Sequence, residues 1–188
     1  IDLNGKNVTV TEDTVGDGVF HVVAGGELTL NGEGTVNGLG NNPWCMVIWA
    51  DGGKVIINGG TYTNVGATDP DDGTHFDVVY VKNGGEVIIN GGTFICETPE
   101  WTLNSHNETT GTITVYGGTF TGFNGVNKDG ENFLADGYCA KNNGDGTYTF
   151  TMPAGDVTVI AQFEEDTHVA QHEKDGYELI WYNGFETN

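Results

Sequence analysis

The chain has 188 residues, enough for one ordinary domain with a core of its own. Its 27 acidic residues stand against six lysines and no arginine, a formal charge of −21. That balance argues against nucleic acid and anionic membrane surfaces as partners, since both demand clustered cations. No apolar run approaches a membrane span, and the 31 glycines lack the third-position period of collagen.

The first predicted element, "IDLNGKNVTV", is a strand with neither an initiator Met nor a signal peptide, the start expected of a processed or excised piece. After it the sequence repeats itself. "GGKVIINGGTYTNV" at 52–65 returns as "GGEVIINGGTFICE" at 84–97. Aligned on "IDLNGK", "LTLNGEGTV", "VIINGGTY", "VIINGGTF" and "ITVYGGTF", the repeats begin 27, 27, 32 and 26 residues apart. A period of this size predicts a stacked solenoid.

Each unit carries three β-rich segments. "VFHVV", "MVIWA" and "VVYVK" come first, "LTL", "VII" and "ITV" second, and "TVN", "TYT", "TFI" and "TFT" third. Three segments in a unit without helical periodicity predict an all-β, right-handed single-stranded parallel β-helix of about five turns over 1–123. Asn4, Asn31, Asn58 and Asn90 are then expected in one ladder, each followed by Gly, with Tyr116 ending it. Val36, Tyr62, Phe94 and Phe120 form a second, internal column. Strand alternation sends Val47 and Trp49 inward and Ile48 outward; Ile56 and Ile88 also face out. The three isoleucines predict a covered outer face used in assembly.

Beyond 123 the language changes. Residues 124–135 read as a turn-rich linker, and 136–188 as antiparallel hairpins, turned at Asp136-Gly137, Asp145-Gly146 and Asp175-Gly176. This predicts a small C-terminal β module or cap. Cys45, Cys96 and Cys139 fit neither a disulfide framework nor a CxxC metal site and are expected as buried thiols.

"IDLNGK", "GGELTLNGEGTVNG" and the "GGTY/GGTF" turns resemble the pectin-lyase-like right-handed β-helices. "HFDVVYVKNGGEVIINGGTF" and "FLADGYCAKNNGDGTYT" are similar to the non-enzymatic kind on gut-bacterial surface proteins and in structural proteins of their phages. The resemblance implies an extracellular or cell-surface protein, or a virion component, acting as a structural or adhesive element. Fold alone does not fix activity.

The enzymatic members of that superfamily imply a Ca²⁺ site with a basic residue, or a cluster of Asp. "TDPDDGTHFD" offers Asp69, Asp71, Asp72 and Asp77 in the longest insertion, with no basic group among them. These carboxylates are candidate Ca²⁺ ligands, Ca²⁺ being the one cofactor the sequence suggests. Trp44, Tyr80 and Trp101 are candidate glycan-binding aromatics near loops or on outer faces. The expectation is a non-enzymatic protein that self-associates as a homo-oligomer or filament, without catalytic residues. The alternative is a carbohydrate-binding or polysaccharide-cleaving β-helix acting at the Asp69–Asp77 loop.

Overall fold

Each repeat folds as three short strands, and each strand pairs with its counterpart one repeat away. The computed structural model describes residues 1–11, 17–40, 45–66, 76–105 and 110–152, and beyond these only the backbone of short strands. A leading strand β1 (Lys6–Thr9) precedes the first full coil of β2 (Asp17–Val23), β3 (Glu27–Leu30) and β4 (Gly34–Asn37). The second coil has β5 (Cys45–Asp51), β6 (Lys54–Ile57) and β7 (Thr61–Asn64). The third has β8 (Val79–Lys82), β9 (Glu86–Ile89) and β10 (Thr93–Cys96). The last has β11 (Leu103–Ser105), β12 (Thr112–Val115) and β13 (Gly118–Thr121).

Three parallel sheets result, in the orders β11-β8-β5-β2, β12-β9-β6-β3 and β1-β4-β7-β10-β13. This is a parallel β-solenoid. From β2 to β11 it makes about three turns rather than about five, because the first repeat supplies only β1 and the last is closed off by a reversal of chain direction.

That reversal is the hairpin of β14 (Cys139–Asn142) and β15 (Thr147–Thr151), with β15 antiparallel on β13. Further along lie β16 (Gln162–Glu164), β17 (Thr167–Val169), β18 (Glu173–Lys174) and β19 (Tyr177–Glu178). β19 extends the sheet beside β14, and β16 pairs with β17. Between solenoid and hairpin, residues 124–135 fold over the end of the stack. Val126 bridges Asn132, Leu134 bridges Val115, and Phe123 and Phe133 are buried.

The core is a set of columns, one side chain per coil. Leu30, Ile57, Ile89 and Val115 are all buried. Val36 begins a second column that continues as an aromatic stack. Ring centroids are 5.2 Å apart for Tyr62–Phe94 and 4.5 Å for Phe94–Phe120 and for Phe120–Phe150. Burying a side chain of this class stabilises by roughly 1.5–3 kcal/mol. The hairpin therefore supplies the next ring of the stack, and the solenoid sheet and the antiparallel module share one core.

The glycine pairs serve close stacking. Gly92 has φ +114, and a Cβ there would lie 3.1 Å from the carbonyl oxygen of Gly60 in the coil below. In the pairs Gly59-Gly60, Gly91-Gly92 and Gly117-Gly118 the second glycine carries the positive φ, while a Cβ on Gly91 would lie 3.0 Å from Asn58 O.

One face assignment is overturned. In register, Phe20 pairs with Ile48 and Val79, and His21 with Trp49 and Tyr80. Ile48 and Ala50 are therefore buried and Trp49 points out. The cause is a turn of changed length. Two residues separate β5 from β6, while three separate β2 from β3 and β8 from β9. Counting back from the Gly pair thus slips by one, and a one-residue slip exchanges the faces.

Candidate functional site

On the outer face of the first sheet, His21, Trp49, Tyr80 and Asn104 form a column. The His21 and Trp49 rings lie 4.0 Å apart at 5°, and Tyr80 meets Trp49 edge-on at 6.3 Å. Asp17 sits 3.0 Å from His21 Nδ1 and Asp51 3.5 Å from Nε2, so carboxylates address both imidazole nitrogens. Burial, with Asp77 and Asp51 nearby, pushes the Tyr80 hydroxyl up to about 12. His21 and Trp49 each cover a face of the other, and Tyr80 crosses Trp49 at 61°. A sugar stacks on a ring face, so this column is a poorer glycan platform than the bare residue types suggest.

Of the sequence-derived residues for ligand and metal, Trp44, Asp69, Asp71 and Asp72 lie outside the described residues. Trp101 closes a single-turn 3₁₀ helix, Pro99–Trp101, and has no place in the ring column. Asp77 is 4% exposed. Burial drives its carboxyl well above the usual range, opposed by a hydrogen bond from Asn104 Nδ2 at 3.1 Å. A carboxyl so enclosed is a weak Ca²⁺ ligand. Among the described residues, no three His, Cys, Asp or Glu side chains are grouped to hold a metal ion. The three cysteines are buried thiols outside any disulfide, and burial pushes Cys96 up to about 12.

The asparagine ladder exists but is shorter at its start. Asn58 Nδ2 donates to Asn31 Oδ1 at 2.7 Å and Asn90 Nδ2 to Asn58 Oδ1 at 2.8 Å. Asn4 is not a rung: Asp2 stands opposite Asn31, and Asn4 lies in the turn beyond at φ +47. Of the assembly isoleucines, Ile48 is withdrawn into the core, whereas Ile56 and Ile88 pair in register on the outside of the second sheet. Thr29 and Thr114 flank them, and a Lys54–Glu86 ion pair at 2.8 Å runs alongside.

The two ends of the stack differ more than its faces. At the C-terminal end β15 covers β13, and Phe123, Phe133 and Phe150 are buried. At the N-terminal end β1 covers β4, but β2 and β3 are the last strands of their sheets among the described residues. Val8, Val19, Phe20 and Leu28 are only partly buried there, and Ile1 and Val23 are 59% and 55% exposed. That the apolar side chains are better covered at the C-terminal end among the described residues depends on where the hairpin docks, for which the sequence holds no local signal.

No family model, curated protein or solved structure matches the chain. Among the described residues no helix is long and apolar enough to cross a membrane.

Proposed function

We propose that this chain is a non-enzymatic structural module, of the pectin-lyase-like kind, that assembles with further copies through the N-terminal end of its solenoid. A cell surface, an extracellular filament or a virion is the setting this reading implies. The observation that carries it is the asymmetry of the ends. Free strand edges pair with other chains unless covered or charged, and among the described residues β2 presents one beside half-covered apolar side chains, while residues 1–3 take only part of the edge at β3. At the opposite end β11 and β12 are likewise the last strands of their sheets, but β15 covers β13 and Leu103, Ile113, Phe123 and Phe133 are buried, so the N-terminal end is the more open one and contact proceeds from it.

The polar side chains support the structural part of the reading. The Asn31–Asn58–Asn90 ladder, the Asn83 Nδ2 to Asp51 bond of 2.6 Å and the Lys54–Glu86 pair all join one coil to the next. They are spent on holding the stack.

Light scattering of the protein over a concentration series tests this reading. A dimer or larger regular assembly is expected, reverting to monomer in Val19→Lys with the β-rich circular dichroism retained. A wild-type monomer at millimolar concentration overturns it.

A further inference from the structure

Beside β12, remote from the open end, lies a cavity of about 530 Å³, a size that suits a small ligand. It arises from a split between two segments. Val115 is paired on its outer side: its N–H donates to Phe133 O at 2.8 Å, and Ala135 N–H donates to its carbonyl at 3.0 Å. Before Phe133 the second segment diverges, so Glu131 and Asn132 stand across a gap from Thr112–Thr114. In a parallel strand the backbone groups of alternate residues point the same way. The N–H and C=O of Ile113 therefore turn toward the gap, as those of Val115 turn toward Phe133–Ala135.

The walls mix donors and acceptors. Glu131 is held in place by the Ser105 hydroxyl and by Asn127 Nδ2 at 2.7 Å. Asn132 spends its Oδ1 on the N–H of Leu134 at 3.0 Å, leaving Nδ2 as a donor at the cavity wall. Thr112 and Thr114 add hydroxyls, and Asp136 an acceptor. One aromatic ring is available: Tyr116 is 43% exposed and fixed at 87° against Tyr138, with centroids 5.4 Å apart. Among the described residues no Lys or His lines the cavity.

From this arrangement we propose that the cavity binds one uncharged pyranose unit of a glycan. Each hydroxyl of a sugar both donates and accepts, matching a wall that does both, while its C–H face packs on Tyr116. An ammonium ion only donates and would leave the Asn132 and Ile113 donors unanswered. Anionic sugars meet the carboxylates of Glu131 and Asp136. The inference is independent of assembly, since the cavity and the open end are at opposite ends of the stack.

The test is saturation-transfer and shift-mapping NMR on the whole chain, with methyl glycosides of glucose, galactose, mannose and N-acetylglucosamine at millimolar concentration. At least one is expected to bind, with shifts centred on Ile113 and Asn132. Tyr116→Ala and Asn132→Asp should each weaken binding by about tenfold or more. Asn132→Asp keeps the acceptor that holds Leu134, so it preserves the wall while removing the donor. Absence of binding by all four glycosides overturns the proposal, as does binding unchanged in both variants. Displacement by lysine methyl ester or Ca²⁺ at equal concentration would also overturn it, showing a cation site.

Discussion

Asp77 carries a carboxyl that gives up hydration on folding and gains in return a hydrogen bond from Asn104. Its folded pKa lies well above the ordinary 3.8, so the folded state keeps a proton that the unfolded chain releases. Stability therefore falls as pH rises through the window that starts near the ordinary value and ends at the raised one. Below that window both states are protonated and the penalty vanishes. Asp77→Asn removes the titration with almost no change of shape. It is expected to raise the thermal midpoint at pH 7 and leave it unchanged below about pH 3; equal midpoints at pH 7 would mean that Asp77 is hydrated. Gly92 is the second residue with a definite forecast. Alanine there combines φ +114 with a 3.1 Å approach to Gly60 O, and denaturant unfolding should register a loss of about 1–3 kcal/mol.

At the scale of elements, the aromatic column joins three coils and the hairpin through Tyr62, Phe94, Phe120 and Phe150. Phe94 lies between two rings and is wholly buried. Phe94→Ala is expected to cost about 3–5 kcal/mol in urea unfolding, and a loss below 1 kcal/mol would show that neighbouring coils collapse into the space. The second- and third-position strands were legible in the sequence because they repeat with constant spacing from the Gly pairs. β5 was not, since the turn before β6 is one residue shorter than its counterparts. Trp49 and Ile48 exchange faces for that reason alone. The Asn4 misplacement has a similar origin: the β1 register pairs Lys6 with Gly34, which shifts the turn before it and puts Asp2 opposite Asn31.

For the molecule as a whole, charge and end geometry act against each other. The open end offers free strand edges and apolar surface, yet Asp2, Glu27 and Glu33 are exposed near it and the chain carries a net charge of −21. Copies therefore repel at long range and attract at contact. Screening shortens the repulsion from about 10 Å at 0.1 M salt to about 3 Å at 1 M. Association is accordingly expected to strengthen as sodium chloride rises from 0.05 to about 0.5 M, as measured by sedimentation velocity. Weakening over that range would point to ion pairs between copies and away from edge pairing.

The sequence by itself determined the repeat, the three strands per coil, the internal aromatic column and the switch to antiparallel hairpins. Each of these rests on local spacing and alternation, which neighbouring residues alone specify. Tertiary structure decided which strand edge the hairpin covers, which face Trp49 occupies, and the cavity between β12 and residues 131–132. Those depend on registers between strands distant in sequence and on where the reversed hairpin docks. The place of the hairpin is set by stacking Phe150 on Phe120 and by the bridge of Leu134 to Val115, contacts for which no local pattern exists to be read.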